Sequence, residues 1–243
     1  MRLLVLGANS DIAHALARLF ARRERAELVL ASRDMPRLEK RAQDVSVRTG
    51  VRAEAVFFDA CDFDSHEGFY AALEPKPDGV VLAFGEFGDQ GAAQKEFPLA
   101  RRIIESNFTA AVGILSVIAA DFEARGHGFV IGIGSVAGLR GRQSNYIYGA
   151  AKAGLNVFLA GLRHRLFRRG VQVMTVLPGF VRTKMTENLD LPQRLVVEPE
   201  TAAEAIYRGW KKKRPVVYAP GFWRWIMLVI RSLPEAVFNR TRL

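Results

Sequence analysis

Short, almost unbroken apolar runs recur along the chain, at Leu3–Leu6, Leu28–Ala31, Ala53–Phe58, Gly79–Phe84, Phe129–Ile133, Val171–Leu177 and Val216–Tyr218. Between them lie longer stretches in which apolar residues return every three or four positions, as in Asp11–Arg22, Leu99–Glu123 and Asn145–Arg168. The short runs predict strands and the longer ones helices. The strand runs are continuous rather than alternating, so both faces are buried, as in a parallel sheet covered by helices on each side. The expected fold is α/β: a doubly wound parallel sheet of about seven strands flanked by helices.

The 243 residues suit one such domain, and an apolar content of 49% is ample for its core. No Pro/Gly/Ser-rich linker, repeat or low-complexity tract divides the sequence, so residues 1–243 are read as a single domain, with 219–243 an apolar and basic C-terminal tail helix. Cys61 is the only cysteine, which excludes an intrachain disulfide and favours a reducing, cytoplasmic compartment. Leu3–Leu6 is too short for the apolar region of a secretory signal and reads as the first strand. No metal site is expected.

Two stretches carry candidate chemistry. At the N-terminus, a strand runs into Gly7-Ala8-Asn9-Ser10-Asp11-Ile12-Ala13, where Gly7 begins a turn and a helix follows from Asp11. That layout offers helix N-terminal amides to a pyrophosphate. Further on, Tyr148 and Lys152 are one helical turn apart, and Ser135 precedes Tyr148 by thirteen residues. A lysine charge beside a phenol is expected to lower its pKa from about 10, so that it exchanges a proton with a carbonyl oxygen near neutral pH. A serine hydroxyl at an adjacent strand end can hydrogen-bond that same oxygen.

With these residues in view, the chain resembles the short-chain dehydrogenase/reductase family over nearly its whole length, which implies a Rossmann-type sheet and carbonyl reduction by a nicotinamide cofactor. The resemblance makes Ser135, Tyr148 and Lys152 the catalytic residues. It adds Asn107, in Glu105-Ser106-Asn107-Phe108-Thr109, as the helix asparagine that helps order a proton-relay water. It assigns cofactor contacts to Gly7, Asn9, Ser10, Asp11 and Ile12, to Asp59 and Ala60 after the third strand, and to Gly85 after the fourth. In Pro178-Gly179-Phe180-Val181-Arg182-Thr183, Pro178 and Gly179 shape a turn while Val181 and Thr183 approach the nicotinamide; Tyr148 and Lys152 also touch the cofactor. Two departures stand out. Asp11 and Ala13 occupy positions of family glycines, and Leu82-Ala83-Phe84-Gly85 replaces Asn-Asn-Ala-Gly. Together with Ala83–Asp89, Val181–Met185 and the tail Tyr218–Trp225, they are similar to the decaprenylphosphoryl-2-keto-pentose (2-keto-ribose) reductases, which reduce a keto sugar carried on a polyprenyl phosphate.

The second strand ends at Ser32-Arg33, where NAD-selective members carry an acid. Removing that acid and supplying a guanidinium favours NADP(H), with NAD(H) kept open by the nearby Asp34. The net charge of +10 is concentrated in Arg163–Arg169 and Lys211–Arg214. No groove-reading motif or aromatic-basic platform accompanies it, so no nucleic-acid partner is expected. Phe222–Ile230 is apolar apart from Arg224, bears two tryptophans and is far short of the ~20 residues that span a bilayer. It reads either as an interfacial anchor at the inner face of the membrane or as a helix buried on the core or against another subunit. The expected protein is an NAD(P)H-dependent reductase of a small-molecule or lipid-linked keto substrate, and a homo-oligomer. A soluble 3-oxoacyl or small-ketone reductase and a non-catalytic dinucleotide-sensing scaffold are the rival readings.

Overall fold

The computed structural model describes residues 1–187 and 189–241; the last two residues of the tail expected at 219–243 lie outside the described residues. Seven parallel strands form one sheet: β1 (Arg2–Leu6), β2 (Glu27–Ser32), β3 (Ala53–Phe57), β4 (Gly79–Leu82), β5 (Gly128–Ile133), β6 (Val171–Pro178) and β7 (Val216–Ala219). Their spatial order is β3-β2-β1-β4-β5-β6-β7, so chain direction across the sheet reverses between β1 and β4. In such sheets the crevice at the carboxyl ends beside the reversal is where ligands bind.

The expected burial on both faces is met residue by residue. Along β1, Leu3 and Val5 join one core, packed by α1 (Asp11–Glu24), α2 (Met35–Thr49) and α8 (Pro199–Lys211). Leu4 and Leu6 join the other, packed by α3 (His66–Ala71), α6 (Ala110–Arg125) and α7 (Tyr146–Leu166). Two short helices, α4 (Gln90–Ala93) and α5 (Phe97–Ile104), follow β4.

The helix expected over Leu99–Glu123 begins earlier, at Phe97, because Pro98 suits a first helical turn. It is also interrupted: Glu105–Thr109 forms a π-turn between α5 and α6. The whole stretch Phe97–Arg125 is long and apolar enough to cross a membrane, but Ile114, Leu115, Ile118 and Phe122 are buried against the sheet, the place of a core helix.

The tail is two helices rather than one, α9 (Trp223–Ser232) and α10 (Glu235–Phe238). Pro234 separates them, since it cannot continue a helix from the preceding turn. Trp223, Met227 and Ile230 of α9 pack with Val136, Leu177 and Phe238 in a small separate core. The two tryptophans, two residues apart on a helix, face opposite ways. Trp223 is 2% exposed and abuts Gly179 and Phe180, whereas Trp225 is 64% exposed. Trp223 is therefore a core residue rather than an interfacial anchor. An apolar strip of Trp225, Leu228 and Val229, flanked by Arg224 and Arg231, remains at the surface.

Candidate active site

Nearly every expected site residue lies on the carboxyl edge of the sheet. Gly7 follows β1, Ser32 ends β2 with Arg33 next, Asp59 and Ala60 follow β3, Gly85 follows β4, Ser135 follows β5, and Pro178 ends β6. The helices return Asn107, Tyr148 and Lys152 to that edge.

The turn after β1 depends on Gly7. Its φ is +80°, and a Cβ there would come within 2.4 Å of the Phe84 backbone nitrogen. Asn9 fastens the turn to the second strand, Nδ2 donating to Ser32 Oγ at 3.1 Å and to the Asp34 carbonyl at 2.9 Å. The Ser10 side chain makes no cap to α1, so the first amides of that helix, from Asp11 and Ile12 onward, keep their donors for an anion.

Asp11, standing where the family has glycine, is a clamp. Arg41 donates to its Oδ1 at 2.6 Å and Arg37 at 3.1 Å, while the Lys184 amide donates to Oδ2 at 3.1 Å. Burial alone would raise its pKa, but the Lys184 amide and the two guanidiniums hold the carboxyl below its ordinary value. Arg41 also donates to the Ser10 carbonyl at 3.1 Å. Arg37 and Arg41 were not expected at the site; their spacing on one face of α2 was legible, their partner was not. The Asp11 side chain thus joins the first turn to the loop after β6.

Arg33 is exposed and sits 3.8 Å from Asp59, whose Oδ1 accepts from the Cys61 amide at 2.9 Å. The Asp34 carboxylate caps α2, accepting from the Arg37 amide at 3.2 Å. The Ala60 carbonyl is bonded to His66 Nε2 at 3.0 Å.

In the loop after β6, Gly179 donates its amide to the Ala219 carbonyl at 3.1 Å, fixing the exit from Pro178. Val181 is buried and bridges Val197, and the Thr183 amide donates to Thr186 Oγ1 at 3.1 Å.

The reactive groups gather between β4, β5 and α7. Ser135 Oγ accepts from the Ala137 amide at 3.0 Å, which leaves its proton to donate. Lys152 is buried, and its Nζ donates to the Ile133 carbonyl at 3.2 Å. Asn107 is 0% exposed on the π-turn, and Nδ2 donates to the carbonyls of Glu86 (2.6 Å) and Ile103 (2.9 Å). Its Oδ1 has no protein partner, and both Oδ1 and Lys152 Nζ border Gly85. A π-turn displaces one residue from the helical register, a device common at functional sites, and here it aims Asn107 inward.

The electrostatics depart from the expectation. Burial pushes the Tyr148 phenol up to about 12, with Ser135 acting in the opposite direction. Burial likewise lowers Lys152 from 10.5 to about 8. Desolvation is the larger influence on the phenol, and Lys152 Nζ donates to the Ile133 carbonyl rather than to the phenol oxygen. Tyr148 is thus a protonated acid at neutral pH.

The Lys152 shift has a consequence for stability. Between about pH 8 and 10.5 the unfolded chain holds this proton and the folded chain does not, so Lys152 makes stability rise with pH in that window. Lys152→Met is expected to raise the unfolding free energy at pH 7 by on the order of 2–3 kcal/mol and to remove that rise. Urea titrations at pH 7 and 9.5 check both; a less stable variant at pH 7 would contradict it.

Comparison with known proteins agrees with the geometry. The family model for short chain dehydrogenases matches residues 2–194. An uncharacterized oxidoreductase of Streptomyces coelicolor is 39% identical, covering 98% of this chain and 94% of its own. Another, from Mycobacterium tuberculosis, is 36% identical over 98% of this chain and 95% of its own. A short-chain dehydrogenase from Sphingobium yanoikuyae, solved in complex with NADPH, superposes with a TM-score of 0.83 at 28% identity, covering 97% of each chain. The chain belongs to the short-chain dehydrogenase family and is an oxidoreductase of the CH–OH/C=O class.

Proposed function

We propose that this oxidoreductase reduces a ketone with NADPH, and that the ketone belongs to a keto sugar carried on a polyprenyl phosphate. The observation that carries the reductase reading is a chain of contacts at the carboxyl edge: Ser135 hydrogen-bonds Tyr148, Lys152 Nζ lies 5.8 Å from the Tyr148 ring centroid, and Lys152 and Asn107 both border Gly85. The residues fit a dinucleotide. The first amides of α1 lack a side-chain cap, Gly7 keeps the turn tight, and Asn9 Oδ1 is buried without a protein partner. When bound there, the nicotinamide supplies the hydride. The chain's own groups then handle the carbonyl oxygen: Ser135 donates a hydrogen bond and Tyr148 gives its proton to the developing alkoxide. Lys152, cationic below about pH 8, stabilises the phenolate that remains. The Asn107 oxygen is placed to hold a water that returns a proton by way of Lys152.

Arg33 supports the preference for NADPH: it is exposed at the end of β2 and is paired with Asp59 only at 3.8 Å, a contact easily exchanged for a phosphate. With Asp34 engaged in capping α2, no acid is presented to the ribose from that position. Arg33→Asp is expected to weaken NADPH at least tenfold and shift preference towards NADH, as read from dissociation constants for both. Unchanged selectivity would remove Arg33 from the 2′-phosphate site.

The keto-sugar reading rests on the branch resemblance and is supported by the apolar strip of α9, whose buried face packs against the loop after β6. We assign that strip to the prenyl chain or to the membrane surface holding it. Exposing apolar side chains of this size forgoes roughly 1.5–3 kcal/mol each, so contact with lipid is favourable. Trp225→Ser with Leu228→Ser is expected to weaken binding to anionic vesicles and raise KM for a prenyl-phosphate substrate several-fold, sparing a soluble ketone. Loss of an oligomer in place of vesicle binding would mark the strip as a subunit interface. Assay of NADPH oxidation against keto sugars with and without a prenyl-phosphate chain tests the substrate directly.

A further inference from the structure

Tyr148, Lys152 and Asn156 follow one another at intervals of one helical turn and share a face of α7. The first two belong to the site described above, and Asn156 has had no part in it. On helix energetics the position suits leucine better. Asparagine is the weaker helix former, and α7 buries Leu155 and Leu159 beside it. The Asn156 Oδ1 is also buried with no partner, a desolvation cost that an apolar side chain would avoid.

In return, the side chain holds the strand end that carries Ser135. Asn156 Nδ2 donates to the Ser135 carbonyl at 3.3 Å, and the same oxygen accepts from the Gly138 amide at 3.2 Å. The glycines on either side of Ser135 leave room for this contact. A Cβ on Gly134 would come within 2.1 Å of Asn156 Oδ1. One on Gly138 would come within 2.8 Å of Asn156 Nδ2 and 2.6 Å of the Ala153 backbone nitrogen. Residues 134–138 therefore lie directly on α7, over Asn156. From the other side, the Gly134 amide donates to the Val176 carbonyl of β6 at 2.9 Å. The serine hydroxyl is tied to this turn, since Ser135 Oγ accepts from the Ala137 amide at 3.0 Å. A shift of the turn is thus passed to the hydroxyl that bonds Tyr148.

We propose that Asn156 is a positioning residue: it seats the Ser135 turn on α7 and so fixes the serine hydroxyl beside the Tyr148 phenol, where both reach one carbonyl oxygen. The inference rests on the reductase reading and adds to it a residue that acts only through Ser135.

The test is a double-mutant cycle on the full chain with NADPH and a ketone that wild type reduces. Asn156→Leu keeps the size of the side chain and removes both polar atoms. It is expected to lower kcat roughly tenfold, to leave the NADPH dissociation constant within about twofold, and to keep or raise the melting temperature. Ser135→Ala removes the hydroxyl and is expected to lower kcat by roughly 10²-fold or more. In that background Asn156→Leu should cost less than about twofold further, because no hydroxyl remains to be positioned. The same fractional loss in both backgrounds would make Asn156 a structural residue and overturn the proposal. Asn156→Ala is measured alongside, so that a leucine variant that fails to fold leaves the cycle intact; the same pattern is expected of it. Crystal structures of wild type and a folded Asn156 variant give the second readout. Ser135 Oγ should move away from the Tyr148 hydroxyl by about 0.5 Å or more in the variant, and an unmoved Ser135 would overturn the proposal whatever the activity. If wild type reduces no ketone, or Ser135→Ala keeps full turnover, the reductase reading of Ser135 fails, while the crystal structures still decide whether Asn156 seats the turn.

Discussion

Tyr148→Phe is expected to lower kcat by roughly 10²–10⁴-fold while leaving dinucleotide binding intact, because it removes one hydroxyl that acts only on the developing alkoxide. The phenol is buried between Phe87 and the Ser135 turn, and Phe fills the same volume, so the fold is retained. Tyr146 is the internal control. Its hydroxyl is exposed and contacts Gln94 at 3.4 Å, and Tyr146→Phe is expected to be near wild type. Steady-state rates for the two variants, beside dinucleotide titrations, check both halves. A fully active Tyr148→Phe would remove the proposed acid.

Gly85→Ala is expected to be nearly as damaging, by a different route. Gly85 has φ +154°, a conformation that side chains rarely adopt, and strain of that kind costs on the order of 1–3 kcal/mol. Its new methyl would meet Asn107 Oδ1 at 2.3 Å and crowd Lys152 Nζ at 3.3 Å. Backbone carbonyls on Glu86 and Ile103 hold the asparagine in place, so relief must come from the catalytic groups or the loop itself. Both melting temperature and kcat should fall, kcat by roughly tenfold or more given the sensitivity of catalysis to misplacement by about an ångström. A variant with wild-type turnover would show that Asn107 and Lys152 do not act as a unit across Gly85.

Much of this architecture is legible in the chain because local and global signals agree. All seven strand runs form strands, since a continuous apolar run between Gly or charged punctuation has few other solutions in a chain that alternates with helical periods. Ser135, Tyr148 and Lys152 are readable because helical spacing fixes the phenol and amine on one face. The π-turn at Glu105–Thr109 is not readable in that way, for a single inserted residue scarcely disturbs the apolar period around it. The elevated Tyr148 pKa was also hidden: it depends on burial, and the lysine four residues on suggested the opposite sign. Arg37 and Arg41 are two among 35 lysines and arginines, and only tertiary contacts distinguish the clamp on Asp11 from solvated charge. For the tail, helical phase alone separates the buried Trp223 from the exposed Trp225, so the segment that reads either as an interfacial anchor or as a buried helix carries one tryptophan on each face.

The central claim is that this chain transfers hydride to a ketone carbon and a Tyr148 proton to its oxygen. NADPH deuterated at the nicotinamide C4 position, incubated with the keto-sugar panel and analysed by mass spectrometry, tests it most directly. Wild type is predicted to give an alcohol carrying one deuterium on the carbinol carbon, and Tyr148→Phe to give almost none while still binding NADPH. Wild-type protein that binds NADPH but labels none of the ketones would contradict the account and leave a dinucleotide-binding scaffold in its place.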